Sequence, residues 1–528
     1  MSTGVETLAE VKVTEFRNEP LTDFSRPDNR RAMEAALAQV RGELGREYDL
    51  RIGAERLRSP DKLHSYNPSR PQEVVGVFQR ATKEQAEKAI QVAYEKFSSW
   101  RQAPVAERAG ILFRAGEIMR SRKHELSAWM VYEVGKTWPE ADADTAEAID
   151  FSEFYAREAL RLFSPAEDRV TPVPGERNEL RYISLGVGVV IPPWNFPLAI
   201  TTGMTLASLV AGNTVVLKPS SDSPAIAYKL YEVMEEAGLP VAALNFVSGG
   251  GGSIGDALVL HPKTRFVAFT GSKEVGLRIN ELAARPQPGQ IWIKRVVAEM
   301  GGKDAIVVDS DTDLDRAVEA VAVSAFGYQG QKCSACSRTI VVDTVYDQFL
   351  EKLKARVEKI TVGPADDPNN YMGPVINASA MKSILEYIEV GKKEGRLLTG
   401  GGPAGDGGYF LKPTVIADVP PEARLSQEEI FGPVLAVTRA QDFDDALRIA
   451  NDTEFGLTGA VFSRNREKLE KARELFHAGN LYLNRKCTGA LVGGHPFGGF
   501  NMSGTDSKAG GREYLYLFTQ QKAISEKL

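Results

Sequence analysis

The feature that most constrains the fold of this chain is a long segment without charge. From Tyr182 to Leu217 the sequence contains no aspartate, glutamate, lysine or arginine. Only a buried core or a membrane accommodates such a segment. The pair Pro192-Pro193, Pro197 and the pair Gly212-Asn213 divide it into pieces too short to span a bilayer. We therefore predict a buried strand–loop–helix–strand unit and expect no membrane partner.

Apolar runs and helical patterns alternate along much of the chain. Helical spacing of apolar residues predicts helices over 82–100, 105–134 and 141–163. Further on, runs rich in valine and isoleucine predict strands at 186–191, 214–217, 244–247, 265–269, 305–308 and 339–342, with helices at 198–211, 224–237, 253–260, 314–326 and 345–359. This alternation indicates βαβ units and parallel sheets, so we predict an α/β fold.

Charge and cysteine content exclude several classes of function. The formal net charge of −6 is small for 528 residues, and no basic face is evident, so we expect no nucleic-acid partner. Three cysteines are too few for a disulfide framework and suit a reducing compartment. The first residues carry acids and no apolar core, unlike a secretory signal. We expect a cytoplasmic protein.

The segment from Gly327 to Arg338 is the first candidate for chemistry. Cys333 follows a glycine-rich turn, where backbone N–H groups can stabilise a thiolate that attacks a carbonyl. Cys333 and Cys336 also form a Cys-x-x-Cys pair. No second Cys/His pair lies at zinc spacing, so we expect no metal. Two alternatives to a catalytic nucleophile remain for Cys333 and Cys336: they could be buried small side chains of the core, or they could act together in thiol–disulfide exchange.

Two polar residues at the ends of apolar runs suit catalysis. Glu299 precedes two glycines, where desolvation can raise the pKa of its carboxyl group towards that of a general base. Asn195 lies in a proline-rich loop that can aim its amide at a developing oxyanion. A capping or ion-paired glutamate and an ordinary turn asparagine are the plainer interpretations.

Two segments could contact a nucleotide. Lys218 ends a predicted strand and could reach a ribose hydroxyl. Gly271 and Ser272 lie where a strand passes into a helix N-terminus, which favours a phosphate. The Gly-x-Gly-x-x-Gly spacing is absent, so this signal is weak by itself.

The order of these motifs along the chain resembles that of the aldehyde dehydrogenase superfamily from about Pro68 to the C-terminus. The matching motifs are Pro-Trp-Asn-Phe, Leu-Lys-Pro-Ser, Phe-Thr-Gly-Ser, Glu-Met-Gly-Gly, Gly-Gln-Lys-Cys, Glu-Glu-Ile-Phe-Gly-Pro-Val from 428 to 434, and Pro-Phe-Gly-Gly from 496 to 499. The resemblance implies a nucleophilic Cys333, an oxyanion hole formed by Asn195 and the Cys333 N–H group, and Glu299 as the base for deacylation.

The resemblance also implies NAD as cofactor. The residues it assigns to the cofactor site are Pro193, Trp194, Lys218, Ser221, Gly271, Ser272, Glu429 and Phe431. Members strictly selective for NAD often carry a glutamate three residues after the lysine, where this chain has Ser221. A serine does not repel a 2′-phosphate. We therefore expect NAD to be preferred and NADP to be tolerated.

The substrate end resembles one branch of that family, the bacterial 1-pyrroline-5-carboxylate dehydrogenases, in segments 330–338 and 486–504. This branch oxidises L-glutamate γ-semialdehyde to L-glutamate in proline breakdown. The resemblance implies that Ser334, Gly489 and Ala490 bind the α-carboxylate and that Phe196 and Phe497 enclose the aliphatic chain. A solvent-facing Ser334 and two core phenylalanines are the alternatives.

Two other functions are compatible with the fold that the motifs imply. A succinate semialdehyde dehydrogenase would share the catalytic residues but would not use the α-ammonium group. A non-catalytic structural or binding protein on the same fold would be expected to lose Cys333, Glu299 or Asn195, and all three are present.

Taken with the resemblance, the patterns predict four segments. They are a helical N-terminal arm (1–60), an NAD-binding domain (61–298) with an oligomerisation flap near 165–185, a catalytic domain (299–487), and a substrate-anchor loop with an oligomerisation tail (488–528). An extended tail over 514–525 could add a strand to a neighbouring subunit. We expect a homo-oligomer, either a dimer or an assembly of dimers, and a proline dehydrogenase is a candidate partner.

Overall fold

The structure, a computed structural model, describes residues 14–164 and 170–528. Its helices are α1 Pro27–Arg41, α2 Lys83–Trp100, α3 Val105–Ser121, α4 Lys123–Val134, α5 Trp138–Phe163, α6 Ala199–Val210, α7 Pro224–Glu236, α8 Asp256–Leu260, α9 Lys273–Ala283, α10 Leu314–Phe326, α11 Asp343–Val357, α12 Ala378–Glu394, α13 Arg424–Gln427, α14 Phe443–Asn451 and α15 Arg466–Leu475.

The strands are β1 Arg46–Tyr48, β2 Leu50–Ile52, β3 Glu55–Leu57, β4 Lys62–Asn67, β5 Arg70–Gln79, β6 Glu176–Ser184, β7 Val187–Ile191, β8 Thr214–Leu217, β9 Leu244–Phe246, β10 Thr264–Thr270, β11 Arg295–Glu299, β12 Asp304–Val308, β13 Cys336–Val342, β14 Arg396–Thr399, β15 Thr414–Ala417, β16 Val434–Ala440, β17 Phe455–Gly456, β18 Thr458–Phe462, β19 Asn480–Leu483, β20 Phe500–Asn501 and β21 Thr519–Lys527.

The uncharged segment forms the centre of a seven-stranded sheet in the order β11-β10-β7-β8-β9-β2-β3. Strands β7 to β11 run parallel, as the predicted βαβ units require. Val190 and Leu217 pack on the side of α6, whereas Val189 and Val216 pack on the side of α2. Helices thus cover both faces of the sheet, which explains why its strands are continuously apolar. Among the described residues, no helix combines the length and apolarity needed to cross a membrane.

A second seven-stranded sheet has the order β14-β15-β16-β13-β12-β18-β19. Its strands run parallel except β14, which is antiparallel to β15. Helices α10 and α11 cover one face, and α14 and α15 cover the other. The two covered sheets confirm the predicted α/β class. The chain passes from the first sheet to the second between Glu299 and Asp304, which places the predicted catalytic residues near the junction.

The prediction of a helical arm over 1–60 is wrong for much of its described part. Residues 27–41 form α1, but β1, β2 and β3 follow it. Gly45, just before β1, and Gly53, between β2 and β3, have φ angles of 79° and 58°, a left-handed conformation that turns the chain. Strand β2 then joins the first sheet beside β9, because its apolar residues are buried there. Residues 1–13 lie outside the described part.

The C-terminal tail pairs with a strand of its own chain. Strand β21 is antiparallel to β6, in register from Thr519 opposite Ser184 to Lys527 opposite Glu176. The extended conformation predicted over 514–525 begins only at Thr519, because residues 514–518 form a 3₁₀ turn whose Tyr514 is buried against Tyr155. The predicted flap near 165–185 includes β6, and residues 165–169 lie outside the described part. Addition of the tail to a neighbouring subunit stays a prediction.

Candidate active site

A strained loop between α10 and β13 carries Cys333. Tyr328, Gln329 and Gly330 have consecutive positive φ angles of 48°, 56° and 67°. The buried Gln329 side chain fixes the loop, since its amide donates to the carbonyl oxygens of Gly135 (3.2 Å) and Pro374 (2.7 Å). Such backbone conformations persist only where the surroundings enforce them. The loop therefore holds Cys333 in a defined position.

Cys333 lies where two cavities meet. It lines a cleft of about 760 Å³ and also a narrower pocket of about 120 Å³. Its side chain is half-buried, unlike those of Cys336 and Cys487, which are buried. The interpretation as a buried small side chain therefore applies to Cys336 and Cys487 and not to Cys333. A molecule in either cavity can reach the Cys333 sulfur.

Every residue assigned to the cofactor by resemblance lines the larger cleft. These residues are Pro193, Trp194, Lys218, Ser221, Gly271, Ser272, Glu429 and Phe431. The rings of Trp194 and Phe431 meet edge to face with centroids 5.5 Å apart. The sequence analysis missed two further parts of the wall, the turn from Gly251 to Asp256 and the first turn of α12. Only the glycine run before α8 offered a sequence signal for them.

The polar groups of this cleft suit a dinucleotide. Ser272 caps α9, whose N-terminus favours a phosphate, and accepts a hydrogen bond from Val275 N (3.4 Å). Within the described chain, the buried Lys218 amine donates only to Pro219 O (3.1 Å), which leaves donors free for a ligand. Burial lowers the pKa of Lys218 to about 8. A cationic donor and a helix N-terminus thus face the same space.

Glu429 is held at the cleft by two glycines. Gly302 N donates to its Oε1 (3.0 Å), and a Cβ atom at Gly301 would overlap its carboxylate. Burial raises the pKa of Glu429 to about 7, against the opposing effect of the Gly302 N–H group. A carboxylate fixed in this way can accept hydrogen bonds from ribose hydroxyls.

The narrower pocket contains every residue assigned to the substrate, namely Phe196, Ser334, Gly489, Ala490 and Phe497. Ser334 is buried, so the solvent-facing alternative is wrong. Apolar side chains, among them Phe151, Ile200 and Met204, complete the wall. The pocket therefore combines an apolar passage with neutral hydrogen-bond donors.

Glu299 enters the narrower pocket from the end of β11. Its Oε1 accepts hydrogen bonds from Ser507 Oγ (2.7 Å) and Ser507 N (3.2 Å), and its Oε2 accepts one from Gly499 N (3.1 Å). Burial raises the pKa of Glu299 to about 7, while these donors oppose the shift. The carboxyl group is therefore close to half ionised at neutral pH, as a general base requires. The sequence analysis missed Ser507.

Asn195 is buried in the loop between β7 and α6. Its Oδ1 accepts a hydrogen bond from Phe196 N (3.1 Å), and its Nδ2 donates to Gln331 O (3.1 Å). These bonds fix the orientation of the amide and leave one hydrogen on Nδ2 for a ligand. Asn195 and Cys333 line the same cleft, as an oxyanion donor for an adduct on Cys333 requires.

The Cys333 thiol has a pKa raised well above its ordinary value. Burial is the main cause, followed by the carboxylates of Asp304, Glu429 and Glu299, whereas the Ser334 N–H group acts in the opposite direction. The residue is therefore a neutral thiol in the unliganded protein. Formation of the nucleophile requires a proton acceptor or a nearby positive charge.

Glu147 on α5 is a pocket residue that the sequence analysis missed. It lines the narrower pocket, and burial followed by repulsion from Asp144 raises its pKa to about 8. Lys136 and Lys332 oppose this shift. Acidic residues on the helix predicted over 141–163 were the only sequence signal. Among the described residues, no group of three or more His, Cys, Asp or Glu is placed to hold a metal ion.

Comparisons with known proteins agree with this geometry. Residues 57–524 match the model of a protein family described as "Aldehyde dehydrogenase family". A 1-pyrroline-5-carboxylate dehydrogenase from Geobacillus sp. (strain WCH70) is 59% identical over 516 residues, which cover 97% of this chain and 99% of the relative. The Thermus 1-pyrroline-5-carboxylate dehydrogenase with bound NAD is 52% identical, with a TM-score of 0.96 and coverage of 98% of this chain and 100% of that one.

A third similar protein is larger. Proline utilization A from Bdellovibrio bacteriovorus is 46% identical with a TM-score of 0.95, and the match covers 97% of this chain but 53% of that chain. The family match and the full-length relatives together settle the membership implied by the sequence motifs. The chain belongs to the aldehyde dehydrogenase family.

Proposed function

We propose that this protein oxidises L-glutamate γ-semialdehyde, the open form of 1-pyrroline-5-carboxylate, to L-glutamate with NAD. One observation carries the proposal. Cys333 lies between a cleft suited to a dinucleotide and a pocket lined by Ser334, Gly489 and Ala490. The names of the full-length relatives support the same substrate.

The cofactor site is proposed from the groups that line the cleft. Lys218 and Glu429 bind ribose hydroxyls, Ser272 and the Gly271 backbone bind the pyrophosphate, and Pro193, Trp194 and Phe431 form apolar walls. Ser221 is uncharged and does not repel the 2′-phosphate of NADP. A preference for NAD with tolerance of NADP therefore stays a prediction. When bound, NAD supplies the acceptor for the hydride and a positive charge that favours ionisation of Cys333.

The first half of the reaction joins the substrate to the enzyme. The Cys333 thiolate forms a bond to the aldehyde carbon, and the carbonyl π electrons move to oxygen. Asn195 Nδ2 and the Cys333 N–H group donate hydrogen bonds to this oxyanion. Collapse of the oxyanion expels the aldehyde hydrogen as hydride and leaves a thioester on Cys333.

The second half releases the acid. Glu299 removes a proton from water while the hydroxide oxygen bonds to the thioester carbon. The carbon–sulfur bond then breaks, and Cys333 leaves as thiolate. In total, one aldehyde, one NAD⁺ and one water give one carboxylate, one NADH and two protons. The pKa of Glu299, about 7, suits this step near neutral pH.

The pocket contains groups for the two charged substituents of the substrate α-carbon and for its methylene chain. Ser334 Oγ and the N–H groups of Gly489 and Ala490 donate to the α-carboxylate without adding a charge beside the thiolate. Phe196 and Phe497 enclose the methylene chain. We assign the α-ammonium group to Glu147, the carboxyl group on α5 that lines the same pocket. The charge of a bound ammonium group favours ionisation of this carboxyl group, against the burial that raises its pKa to about 8.

The substrate is tested by comparing three aldehydes under one set of conditions. We expect kcat/KM for L-glutamate γ-semialdehyde to exceed that for glutarate semialdehyde, which lacks only the ammonium group, by about ten- to a hundredfold, because a hydrogen bond to a charged group contributes roughly 1.5–3 kcal/mol. Succinate semialdehyde, which is one carbon shorter, should react more slowly still. NADH absorbance gives the rates, and faster oxidation of succinate semialdehyde would assign the enzyme to the alternative function.

The pH dependence of kcat tests the role of Glu299. Glu299 must be ionised to accept a proton, so kcat should fall as the pH decreases through about 7. The Ser507 hydroxyl stabilises the ionised form. Ser507→Ala should therefore raise the pKa of Glu299 and move the acid limb to higher pH by about one unit, since one unit corresponds to roughly 1.4 kcal/mol. Ser507→Thr should restore the midpoint, and an unchanged midpoint in Ser507→Ala would refute the assignment.

Assembly is proposed from the flap and from one of the similar proteins. A homo-oligomer formed through the flap of β6 and β21 is supported by the two-stranded form of this sheet, because a sheet of two strands is marginally stable by itself. A cytoplasmic location stays a prediction. A proline dehydrogenase partner is supported by the match to about half of a proline utilization A protein. The rest of that protein has no counterpart in this chain.

A further inference from the structure

The segment that carries the Gly489 and Ala490 N–H groups contacts an arginine on its other side. Arg485 Nη2 donates to the carbonyl oxygens of Thr488 (3.1 Å) and Gly489 (3.0 Å). We propose that Arg485 is a positioning residue: it turns these two peptide units so that the Gly489 and Ala490 N–H groups face the substrate carboxylate. This inference rests on the proposed function.

Peptide geometry connects the two sides of the segment. The Thr488 carbonyl and the Gly489 N–H group belong to one peptide unit, and the Gly489 carbonyl and the Ala490 N–H group belong to the next. The described chain contains no cis peptide bond, and in a trans unit the C=O and N–H groups point in opposite directions. Binding both carbonyls to one guanidinium nitrogen therefore directs both N–H groups away from it.

The two N–H groups are available to a ligand. Within the described chain, neither Gly489 N nor Ala490 N donates a hydrogen bond to another protein group. Both residues line the pocket that contains Cys333 and Ser334. Gly489 has a φ angle of 76°, which residues with a side chain rarely adopt. Glycine at this position therefore allows the Gly489–Ala490 peptide unit to point the same way as the Thr488–Gly489 unit.

Arg485 is itself held in place. Its guanidinium lies over the Tyr482 ring, 4.3 Å from the centroid, and its Nη1 is 3.3 Å from His495 Nε2. Tyr482 is buried at the end of the second sheet and supports this arrangement. The guanidinium therefore forms a fixed support behind the loop.

The arrangement has an electrostatic consequence. A cation that donates hydrogen bonds to two carbonyl oxygens polarises both peptide units and makes their N–H groups better donors. The positive potential reaches an anionic carboxylate through the backbone, while the charge itself stays outside the pocket. Arg485 thus favours aldehydes that carry a carboxylate over alkyl aldehydes of similar length.

The test compares variants on two substrates. Arg485→Gln should raise KM for L-glutamate γ-semialdehyde by about ten- to a hundredfold, the range expected for hydrogen bonds to a charged group, and should change kcat little. For pentanal, which has no carboxylate, kcat/KM should stay within about twofold. Arg485→Lys keeps the charge and should recover part of the loss. The dissociation constant of L-glutamate, measured by calorimetry, should rise by the same factor as KM.

A neighbouring lysine provides the control for charge alone. Lys486 is exposed and adjacent to Gly489, but among the described residues it donates to no carbonyl of the loop. Lys486→Gln should change KM by no more than about twofold, because exposed charges are screened. An equal effect of Lys486→Gln would overturn the inference in favour of simple charge attraction.

Two other outcomes would also overturn the inference. An equal loss with pentanal would mean that Arg485→Gln damages the site as a whole. A preference for the semialdehyde that survives unchanged in Arg485→Gln would refute the positioning role while leaving the proposed function intact. If the wild-type enzyme shows no preference for the semialdehyde over pentanal, the proposed function fails, and this inference fails with it.

Discussion

Replacement of Cys333 by alanine is expected to abolish NADH formation while NAD binding remains unchanged. The alanine removes the atom that bonds to the aldehyde carbon, and the other two cysteines, Cys336 and Cys487, are buried. Removal of a catalytic nucleophile lowers turnover by about 10⁴-fold or more. Cys333 lines the same cleft but is not among the residues that we assign to NAD. Steady-state absorbance measures the rate, and calorimetric titration with NAD measures the binding.

Cys336→Ala is the matched control for this prediction. Its sulfur is buried and donates to the Arg338 carbonyl oxygen (3.2 Å), so it faces the protein interior. Turnover should be retained in Cys336→Ala. NADH formation that persists in Cys333→Ala and disappears in Cys336→Ala would move the nucleophile to Cys336. A loss of NAD binding in Cys333→Ala would show that the variant had damaged the cofactor cleft.

The elements predicted well from the sequence are those whose pattern is local and repeated. Strand β8 and helix α10 were predicted with their observed bounds, because a buried parallel strand is continuously apolar and a long amphipathic helix repeats its period. Strands β1, β2 and β3 were missed. Each has three residues, too few to display a period. The positions of β1 and β2 depend on pairing with the distant strands β5 and β9, and β3 then pairs with β2.

In the active site, too, residues in local motifs could be predicted, whereas residues that act through tertiary contacts could not. Cys333, Glu299 and Asn195 lie in motifs that can be recognised in the sequence, and the structure brings each of them to the wall of one of the two cavities that meet at Cys333. Ser507 and Arg485 could not be recognised in that way. Ser507 acts on a glutamate more than two hundred positions earlier in the chain, and Arg485 acts on its neighbours through a loop shape that the sequence does not encode locally. Tertiary geometry, and not residue type, assigns such roles.

Glu299→Gln should separate the two halves of the reaction. The amide cannot accept the proton of the attacking water, so the steady-state rate should fall by about 10²- to 10⁴-fold, the usual contribution of a general base. Thioester formation should persist, because the Glu299 carboxylate raises the pKa of Cys333 and its removal favours the thiolate. Rapid mixing should therefore show a burst of one NADH per active site, followed by slow turnover.

Chemical rescue distinguishes this result from general damage. Hydroxylamine attacks a thioester without help from a base, so it should restore turnover in Glu299→Gln and yield the hydroxamate of glutamate. Mass spectrometry of the quenched variant should find the γ-glutamyl group on the peptide that contains Cys333. A missing burst would mean that Glu299 acts earlier, as acceptor of the Cys333 proton. In that event the same carboxylate, with a pKa of about 7, would control formation of the nucleophile, and the acid limb of the pH profile would belong to acylation.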